Sequence, residues 1–354
     1  MNEVYTKLKF LRFHEQLNAL EDNQLIAPVH IRLKPINACD HDCWYCAYHD
    51  PNLQLGENMQ MKDRLSREKL LEIVDDAAEM GVKAVTFSGG GEPLIHPNIV
   101  EAVNKLGEHK LQVATLSNGS HLHKDVAEAF ARYGTWVRIS IDGYDPASYA
   151  KQRNVKVSEF DKIIGNMRKF AEMRSDCVLG VNFIVDKKNY NNIFQFACLM
   201  KDIGVNHLKI MGVLISNDGK ECNSYHEEIS SQVKDQIDAC RKLETEGFSI
   251  VDHYHEFPER FDKEYTSCPS IQFLVVIGAD AKVYSCHDKA YTDLGTLGSI
   301  KDRSFKDFWF SEENIRRVRE INPSTMCLHH CAEHRRNLLL HEYLNVDSDH
   351  IAFV

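Results

Sequence analysis

The sequence lacks any uninterrupted apolar run approaching the ~18 residues that a membrane-spanning helix requires. Residues 1–13 mix charged and bulky side chains and have no apolar centre of the kind found in secretory signal peptides. An excess of basic residues is also missing, since 42 Lys and Arg against 52 Asp and Glu give a formal net charge of −10. These absences exclude a membrane protein, predict a cytoplasmic location and disfavour a nucleic acid as a partner.

Internal repeats and low-complexity tracts are absent too, and 43% hydrophobic with 27% charged residues is ordinary for a folded protein. The 354 residues predict about two domains. The chain does contain eleven cysteines. They do not read as a disulfide framework, because cytosolic thiols are kept reduced. Seven of them form two groups, near the start and near the end of the chain, which predicts two metal sites.

Between residues 29 and 213, short apolar segments alternate with helical patterns. Helices are predicted to begin at the capping residues Ser66 and Ser158, and again over 191–204 and 227–247. This alternation predicts an α/β fold, a partial (β/α)6 barrel related to the TIM barrel. The predicted strands cover residues 29–35, 83–88, 111–117, 136–142, 178–185 and 207–213.

The pattern changes past residue 248. Residues 273–277 and 282–285 flank a Gly-Ala-Asp-Ala turn, which predicts a β-hairpin, and a helix is predicted over 304–321. We therefore expect a small C-terminal α+β domain. The proposed division is an N-terminal helix and connector (1–28), a barrel core (29–251) and a C-terminal domain (252–354).

Cys39, Cys43 and Cys46 lie on one short loop after the first predicted strand. Three thiolates can hold three corners of a [4Fe-4S] cube and leave its fourth iron open to a ligand. A structural zinc ion completed by His41 or His49 is the alternative. The position favours the cluster, because β-α folds place their reactive groups at the carboxyl ends of strands.

The cysteine spacing, with the aromatic Tyr45 directly before Cys46, resembles that of the radical S-adenosylmethionine (radical SAM) superfamily. A second match follows the second predicted strand, where residues 90–93 read Gly-Gly-Glu-Pro. The resemblance implies that the three cysteines hold a [4Fe-4S] cluster and that S-adenosylmethionine chelates the open iron. Reductive cleavage would then give a 5′-deoxyadenosyl radical.

The resemblance also implies a set of residues that contact S-adenosylmethionine. Glycines allow close approach of the backbone, Glu92 can accept from the methionine ammonium, Ser140 would approach the ribose and Arg153 would pair with the methionine carboxylate. Asn182 is a weaker candidate. For each residue alone, an ordinary turn, cap or surface role is the alternative. The predicted cofactor contacts are Gly90, Gly91, Glu92, Asn118, Ser140 and Arg153.

The second cysteine group supplies four thiolates, enough to close a complete iron–sulfur cluster. The layout resembles the twitch domain, a shortened form of the SPASM domain, and implies one auxiliary cluster, expected to be [4Fe-4S]. Nearby His287, His329 or His330 are alternative ligands, and a zinc ribbon is the alternative site. The predicted ligands are Cys268, Cys286, Cys327 and Cys331.

The implied reaction is hydrogen abstraction from a small polar substrate such as a sugar, an aminocyclitol or a nucleotide-sugar alcohol, or from a peptide. A flavodoxin- or ferredoxin-like electron donor is implied as partner. We expect dehydrogenation; the alternative is epimerisation with Cys222, in a predicted loop over 216–225, as hydrogen donor. Candidate bases are Lys209, His253 and His255. From a different class, a zinc-stabilised interaction protein would also satisfy the cysteines.

Overall fold

Ten strands form a single sheet in the computed structural model, which describes residues 5–50, 53, 55–256, 258–347, 349–350 and 352–353. Strands β1 to β7 are all parallel and lie side by side in chain order. Strand β8 pairs in parallel with the other side of β1, and β9 and β10 continue from it antiparallel. The strands are β1 His30–Leu33, β2 Ala84–Phe87, β3 Gln112–Ser117, β4 Gly134–Ser140, β5 Val178–Val185, β6 His207–Gly212, β7 Ser249–Asp252, β8 Leu274–Ile277, β9 Lys282–Tyr284 and β10 Thr296–Ser299.

Helices connect the parallel strands, as the alternating pattern predicts. All six predicted strands are present, and β7 adds a seventh where the chain was expected to leave the barrel. The helices are α1 His14–Glu21, α2 Arg67–Glu79, α3 Ile99–Glu108, α4 Lys124–Tyr133, α5 Pro146–Arg153, α6 Ser158–Glu172, α7 Ile193–Ile203, α8 Gly219–Glu227, α9 Ser230–Arg241, α10 Phe305–Trp309, α11 Glu312–Arg319, α12 Pro323–Met326 and α13 His334–Leu344.

The sheet is curved, with one face turned inward. Arg32 on β1 and Lys209 on β6 are five strands apart, about 24 Å in a flat sheet. They are nevertheless close enough for Arg32 to be one of the charged groups that lower the pKa of Lys209, after burial and three cations with larger effects. The other face is apolar and covered by the helices: Leu33, Val85, Val137 and Leu208 are buried in the main hydrophobic core. The fold is therefore the predicted partial barrel.

Capping explains where several helices begin. The Ser66 side chain accepts a hydrogen bond from Lys69 N and starts α2, as predicted. Ser158 was expected to cap α6, but the helix begins at that residue and no side-chain cap bond is present. The predicted helix over 304–321 is two helices. Ser311 accepts from Asn314 N and starts a new helix there, so α10 ends and α11 begins.

The C-terminal hairpin of β8 and β9 is present as predicted. Because β8 pairs with β1, the second unit extends the barrel sheet rather than standing apart from it. The amino-terminal segment also contributes to the interior, since Tyr5 reaches His207 on β6 and Arg138 on β4. Among the described residues, no helix is long and apolar enough to span a bilayer.

Candidate active site

The first cysteine group lies on a tight turn at the carboxyl end of β1. Cys46 N donates to Cys43 O at 3.0 Å, and His49 N donates to Cys46 O at 2.9 Å. The three cysteine residues are partly exposed. Burial raises the pKa of Cys39 to about 12 and that of Cys43 to about 11, although Arg153 acts in the opposite direction on Cys43. Thiolates in such a place need a positively charged partner.

The glycine loop after β2 is packed against the start of the cysteine loop. A Cβ atom on Gly91 would come within 1.9 Å of Ala38 O and 2.4 Å of Asn37 O. Gly91 N donates to Ile36 O at 3.2 Å, and Glu92 N donates to Ala38 O at 2.9 Å. Glycine at position 91 is therefore what allows the two loops to lie together directly before Cys39.

Glu92 joins the ends of β2 and β3. Its buried carboxylate accepts from Leu94 N at 3.0 Å, Ser117 Oγ at 2.8 Å and Asn118 N at 2.7 Å. Burial raises the pKa of Glu92 to about 7, against these hydrogen bonds, which lower it. With three protein donors already bound, this side chain positions the loop that carries Asn118.

Asn118 is in turn held by the cysteine loop. Its Nδ2 donates to Asp40 Oδ1 at 2.6 Å and lies 2.8 Å from His41 Nδ1. The other ring nitrogen of His41 is 3.0 Å from the hydroxyl of Tyr149. Both nitrogens of His41 are thus engaged, which argues against the alternative in which His41 completes a zinc site.

Arg153 is buried at the end of α5, against the cysteine loop. It forms an ion pair with Asp142, and its guanidinium lies 5.6 Å from the ring centres of both Tyr45 and Tyr149. Tyr45 OH donates to the same Asp142 oxygen at 2.7 Å. Arg153 Nε and Asp142 Oδ2 are buried without a hydrogen-bond partner. The pair therefore keeps one donor and one acceptor for a ligand.

Ser140 and Asn182 are register partners on neighbouring strands β4 and β5. Both are partly exposed. Asn182 Oδ1 is buried and has no hydrogen-bond partner. A second unsatisfied acceptor thus lies beside Ser140, which is the last residue of β4 and precedes Asp142 by two residues.

The second cysteine group comes from three separate segments of the C-terminal unit, one of which carries both Cys327 and Cys331. Cys331 and Cys327 both raise the pKa of Cys268, after burial, and Cys268 and Cys327 likewise raise that of Cys286. The four thiols therefore lie within electrostatic range of one another. Burial raises the pKa of Cys327, and Lys289 and Lys263 lower it, so positive charge is adjacent to this thiol.

Two aromatic side chains connect the cysteine groups. Tyr48, two residues after Cys46, has its hydroxyl 3.5 Å from Nδ1 of His287, which directly follows Cys286. Lys34 donates to the same Tyr48 hydroxyl and to Gly89 O. The two groups are thus joined by a continuous chain of contacts.

The three predicted catalytic residues do not come together. Lys209 and His253 are neighbours on the inner face, since Lys209 is the first charged group, after burial, that lowers the pKa of His253. Cys222 is elsewhere. The predicted loop around it is mostly helix α8, where Asp218 accepts from Lys220 N and Glu221 N. The Cys222 side chain is buried against Phe261 and donates to Ser216 O at 3.0 Å.

The residue pattern fits the implied cofactors. In the described ranges, no three His, Cys, Asp or Glu side chains are positioned to hold a single metal ion, so the fit depends on the types of donor and on the polar atoms around them. Three cysteines on one loop and four in a second group provide thiolates for two clusters. The unpartnered atoms of Arg153, Asp142 and Asn182 provide polar contacts for an amino acid and a nucleoside.

Comparison with known proteins identifies the class. Residues 33–197 match the radical SAM superfamily, and residues 268–332 match the SPASM iron–sulfur cluster-binding domain. The chain therefore contains a radical SAM domain followed by a C-terminal SPASM-type domain. The cofactors of such a protein are a [4Fe-4S] cluster, S-adenosylmethionine and an auxiliary iron–sulfur cluster.

Particular relatives are more distant. "Probable GTP 3′,8-cyclase" of Saccharolobus solfataricus is 24% identical over 199 residues, which cover 56% of this chain and 61% of that protein. An "S-adenosylmethionine-dependent nucleotide dehydratase" of Flammeovirga pacifica is 28% identical over 170 residues, 48% of this chain and 57% of that protein. The matches thus span less than two thirds of these relatives.

Solved structures agree on the fold. Streptococcus suis SuiB bound to S-adenosylmethionine superposes with a TM-score of 0.62 at 15% identity, covering 87% of this chain and 72% of SuiB. The protein anSMEcpe with bound AdoMet and a peptide gives 0.62 at 15% identity, covering 90% and 96%.

Proposed function

We propose that this protein is a radical SAM oxidoreductase that removes a hydrogen atom from a small polar substrate and dehydrogenates it. A sugar, an aminocyclitol or a nucleotide-sugar alcohol is the expected kind of substrate, with an alcohol becoming a ketone. When bound, the cluster and S-adenosylmethionine supply the 5′-deoxyadenosyl radical, and the auxiliary cluster supplies an electron acceptor. Cys39, Cys43 and Cys46 would hold the first cluster, and Cys268, Cys286, Cys327 and Cys331 the second.

The observation that carries the proposal is the contact between Tyr48 and His287. Each of these residues is within two positions of a predicted cluster ligand, one from each cysteine group. In this proposal the second group would adjoin the site in which the substrate reacts. An electron acceptor is required there for dehydrogenation, whereas a redox-neutral isomerisation has no net need of one.

The residues of the chain have defined tasks in this proposal. Arg153 Nε and Asp142 Oδ2 would bind the charged end of the methionine moiety, while Asn182 and Ser140 would bind the ribose. Gly90 and Gly91 keep the neighbouring loop close to the cysteines. Dehydrogenation also releases a proton, for which Lys209 and His253 are the candidate acceptors. Burial lowers the pKa of both, which favours their neutral, proton-accepting forms.

Epimerisation is the alternative outcome, with Cys222 returning a hydrogen atom. The buried Cys222 thiol, bonded to Ser216 O, favours dehydrogenation, because a donor must meet the substrate radical directly. A peptide substrate is the other alternative. SuiB was solved with a precursor peptide, but its likeness to this chain extends to the fold alone.

The test is product analysis in heavy water with anaerobically reconstituted protein, reductant, S-adenosylmethionine and a substrate panel. Nucleotides enter the panel first because of the names of the two curated relatives. We expect 5′-deoxyadenosine and a ketone, and Cys222→Ala should give the same product at a similar rate. Cys198→Ala, at a partly exposed cysteine on α7, is the matched control. Solvent deuterium at an inverted carbon, lost only in Cys222→Ala, would replace dehydrogenation by epimerisation.

A further inference from the structure

The inner face of the barrel carries cations and no acids from its strands. The register relates Arg32 on β1 to Thr86, Ala114 and Trp136 across the sheet, so Arg138, two residues beyond Trp136, faces the same side. Arg138 pairs with Gly180 on β5, and Asn182, two residues further along β5, pairs with Lys209 on β6. Lys209 therefore faces the same side as Arg32 and Arg138. Strands β1 to β6 contain no Asp or Glu. Their contribution to this face is therefore purely positive.

Among the described residues, no carboxylate forms an ion pair with any of these three cations. The Nε atoms of Arg32 and Arg138 are buried donors that have no hydrogen-bond acceptor. Arg138 Nη1 donates to the hydroxyl of Tyr5 at 3.3 Å. After burial, the charged groups that weigh most on the pKa of Lys209 are all cations, with Arg138 the largest. Around Lys209, positive charges are thus gathered with little neutralisation.

The acids that act on the pKa of Arg32, Glu333 and Asp288, have other partners, and Asp288 Oδ2 accepts from Ala332 N at 2.6 Å. Glu333 is the acid that acts most on Arg32, but it forms an ion pair with Arg336 at 2.6 Å. Arg260, another cation near Lys209, pairs with Glu256 at 2.9 Å. Arg32, Arg138 and Lys209 remain partly exposed, so solvent reaches the face they line. Like charges held together at an open site are costly unless an anion binds there.

We propose that Arg32, Arg138 and Lys209 form an anion site inside the barrel that binds the phosphate of a phosphorylated substrate. The planar guanidinium group forms paired hydrogen bonds with phosphate oxygens, and two of the three residues are arginines. Arg138 lies two strand residues, about 7 Å, below Ser140. A phosphate held there leaves the rest of the molecule to extend toward the carboxyl ends of the strands.

This inference rests on the proposed function, because that proposal is what makes the bound molecule a substrate. It narrows the class of substrate to phosphate esters. It also assigns the base. A bound phosphate stabilises the charged ammonium of Lys209, which leaves His253 as the proton acceptor of the two candidates.

The direct test is calorimetric titration of the reconstituted wild-type protein with inorganic pyrophosphate. We expect saturable binding, and Arg138→Gln should weaken it at least about tenfold, because a hydrogen bond to a charged group contributes about 1.5–3 kcal/mol. Arg168→Gln, at an exposed arginine paired with Asp202, is the matched control and should bind as wild type does. Absence of pyrophosphate binding to the wild type would overturn the proposal.

Thermal unfolding separates a binding role from a structural one. Removing one of several crowded cations should raise the unfolding midpoint of the protein without anion and reduce the rise that pyrophosphate causes. A lower midpoint with undiminished pyrophosphate affinity in Arg138→Gln would make Arg138 structural and refute the assignment. If that variant does not fold, Lys209→Met answers the same question. Deoxyadenosine formation is measured separately, so failure of the radical reaction is distinguished from failure of anion binding.

Discussion

A single methyl group at Gly91 should separate the two loops that build the first metal site. The added Cβ of Gly91→Ala would lie 1.9 Å from Ala38 O, whereas ordinary contact begins at 3.4 Å. All three of its nearest atoms belong to backbone, so no side chain can rotate away. The loops must therefore move apart by about 1.5 Å, the difference between those two separations.

The magnitude follows from the contacts that this movement breaks. The bonds from Gly91 N to Ile36 O and from Glu92 N to Ala38 O each contribute about 1 kcal/mol. Overpacking adds about 1–3 kcal/mol. We therefore expect the free energy of unfolding to fall by about 3–5 kcal/mol. Because Ala38 precedes Cys39, iron content after reconstitution and deoxyadenosine formation should fall as well.

The assay is denaturant unfolding of the metal-free protein, followed by iron analysis and deoxyadenosine measurement on the reconstituted protein. Gly165→Ala is the matched control, because the new Cβ meets no described atom within 4 Å in the middle of helix α6. There we expect an unchanged or higher stability, by up to about 1 kcal/mol. Equal stability and equal iron content in Gly91→Ala and the wild type would refute the role assigned to Gly91.

Two further predictions concern buried charges. Arg153→Met leaves Asp142 buried without its ion-pair partner, so the free energy of unfolding measured in urea should fall by about 3–5 kcal/mol. Adding Asp142→Asn to this variant should restore part of the loss. A double variant no more stable than Arg153→Met would contradict the pairing. Burial lowers the pKa of His207 in the folded chain to about 4. As the pH falls below about 6.5, the unfolded chain therefore binds a proton at this histidine while the folded chain does not. The free energy of unfolding consequently decreases on acidification. Between pH 7 and 5, the free energy of unfolding of His207→Gln should therefore fall by about 2 kcal/mol less than that of the wild type. His14→Gln, at an exposed position, is the control and should behave as the wild type does. A pH profile of His207→Gln equal to that of the wild type would contradict the burial argument.

Much of this architecture is predictable because its determinants are local. The apolar segments between residues 29 and 213 indicate strands by composition, and the cysteine loop and residues 90–93 indicate the site by spacing. Strand β7 is harder to predict, because all four of its residues are only partly buried and it depends on pairing with β6. The parallel pairing of β8 with β1 joins segments more than 240 residues apart, which no local pattern encodes.

Some site features depend on tertiary packing. Helix α8 forms in a polar segment because Asp218 caps it and Cys222 packs on Phe261, a residue from a distant segment. The contact between Tyr48 and His287 likewise needs the folded chain. The inner cations were detectable: Arg32, Arg138 and Lys209 each interrupt an apolar strand, and the strands carry no acid to balance them. Alternation along the strands places all three on the face opposite the apolar core.

Electron paramagnetic resonance of the reduced, reconstituted protein, with and without S-adenosylmethionine, tests the central claim most directly. An open coordination position at the cluster held by Cys39, Cys43 and Cys46 predicts a changed spectrum on addition and the formation of 5′-deoxyadenosine, both lost when the three cysteines are replaced by alanine. A spectrum that S-adenosylmethionine leaves unchanged, with no deoxyadenosine formed, would contradict the account.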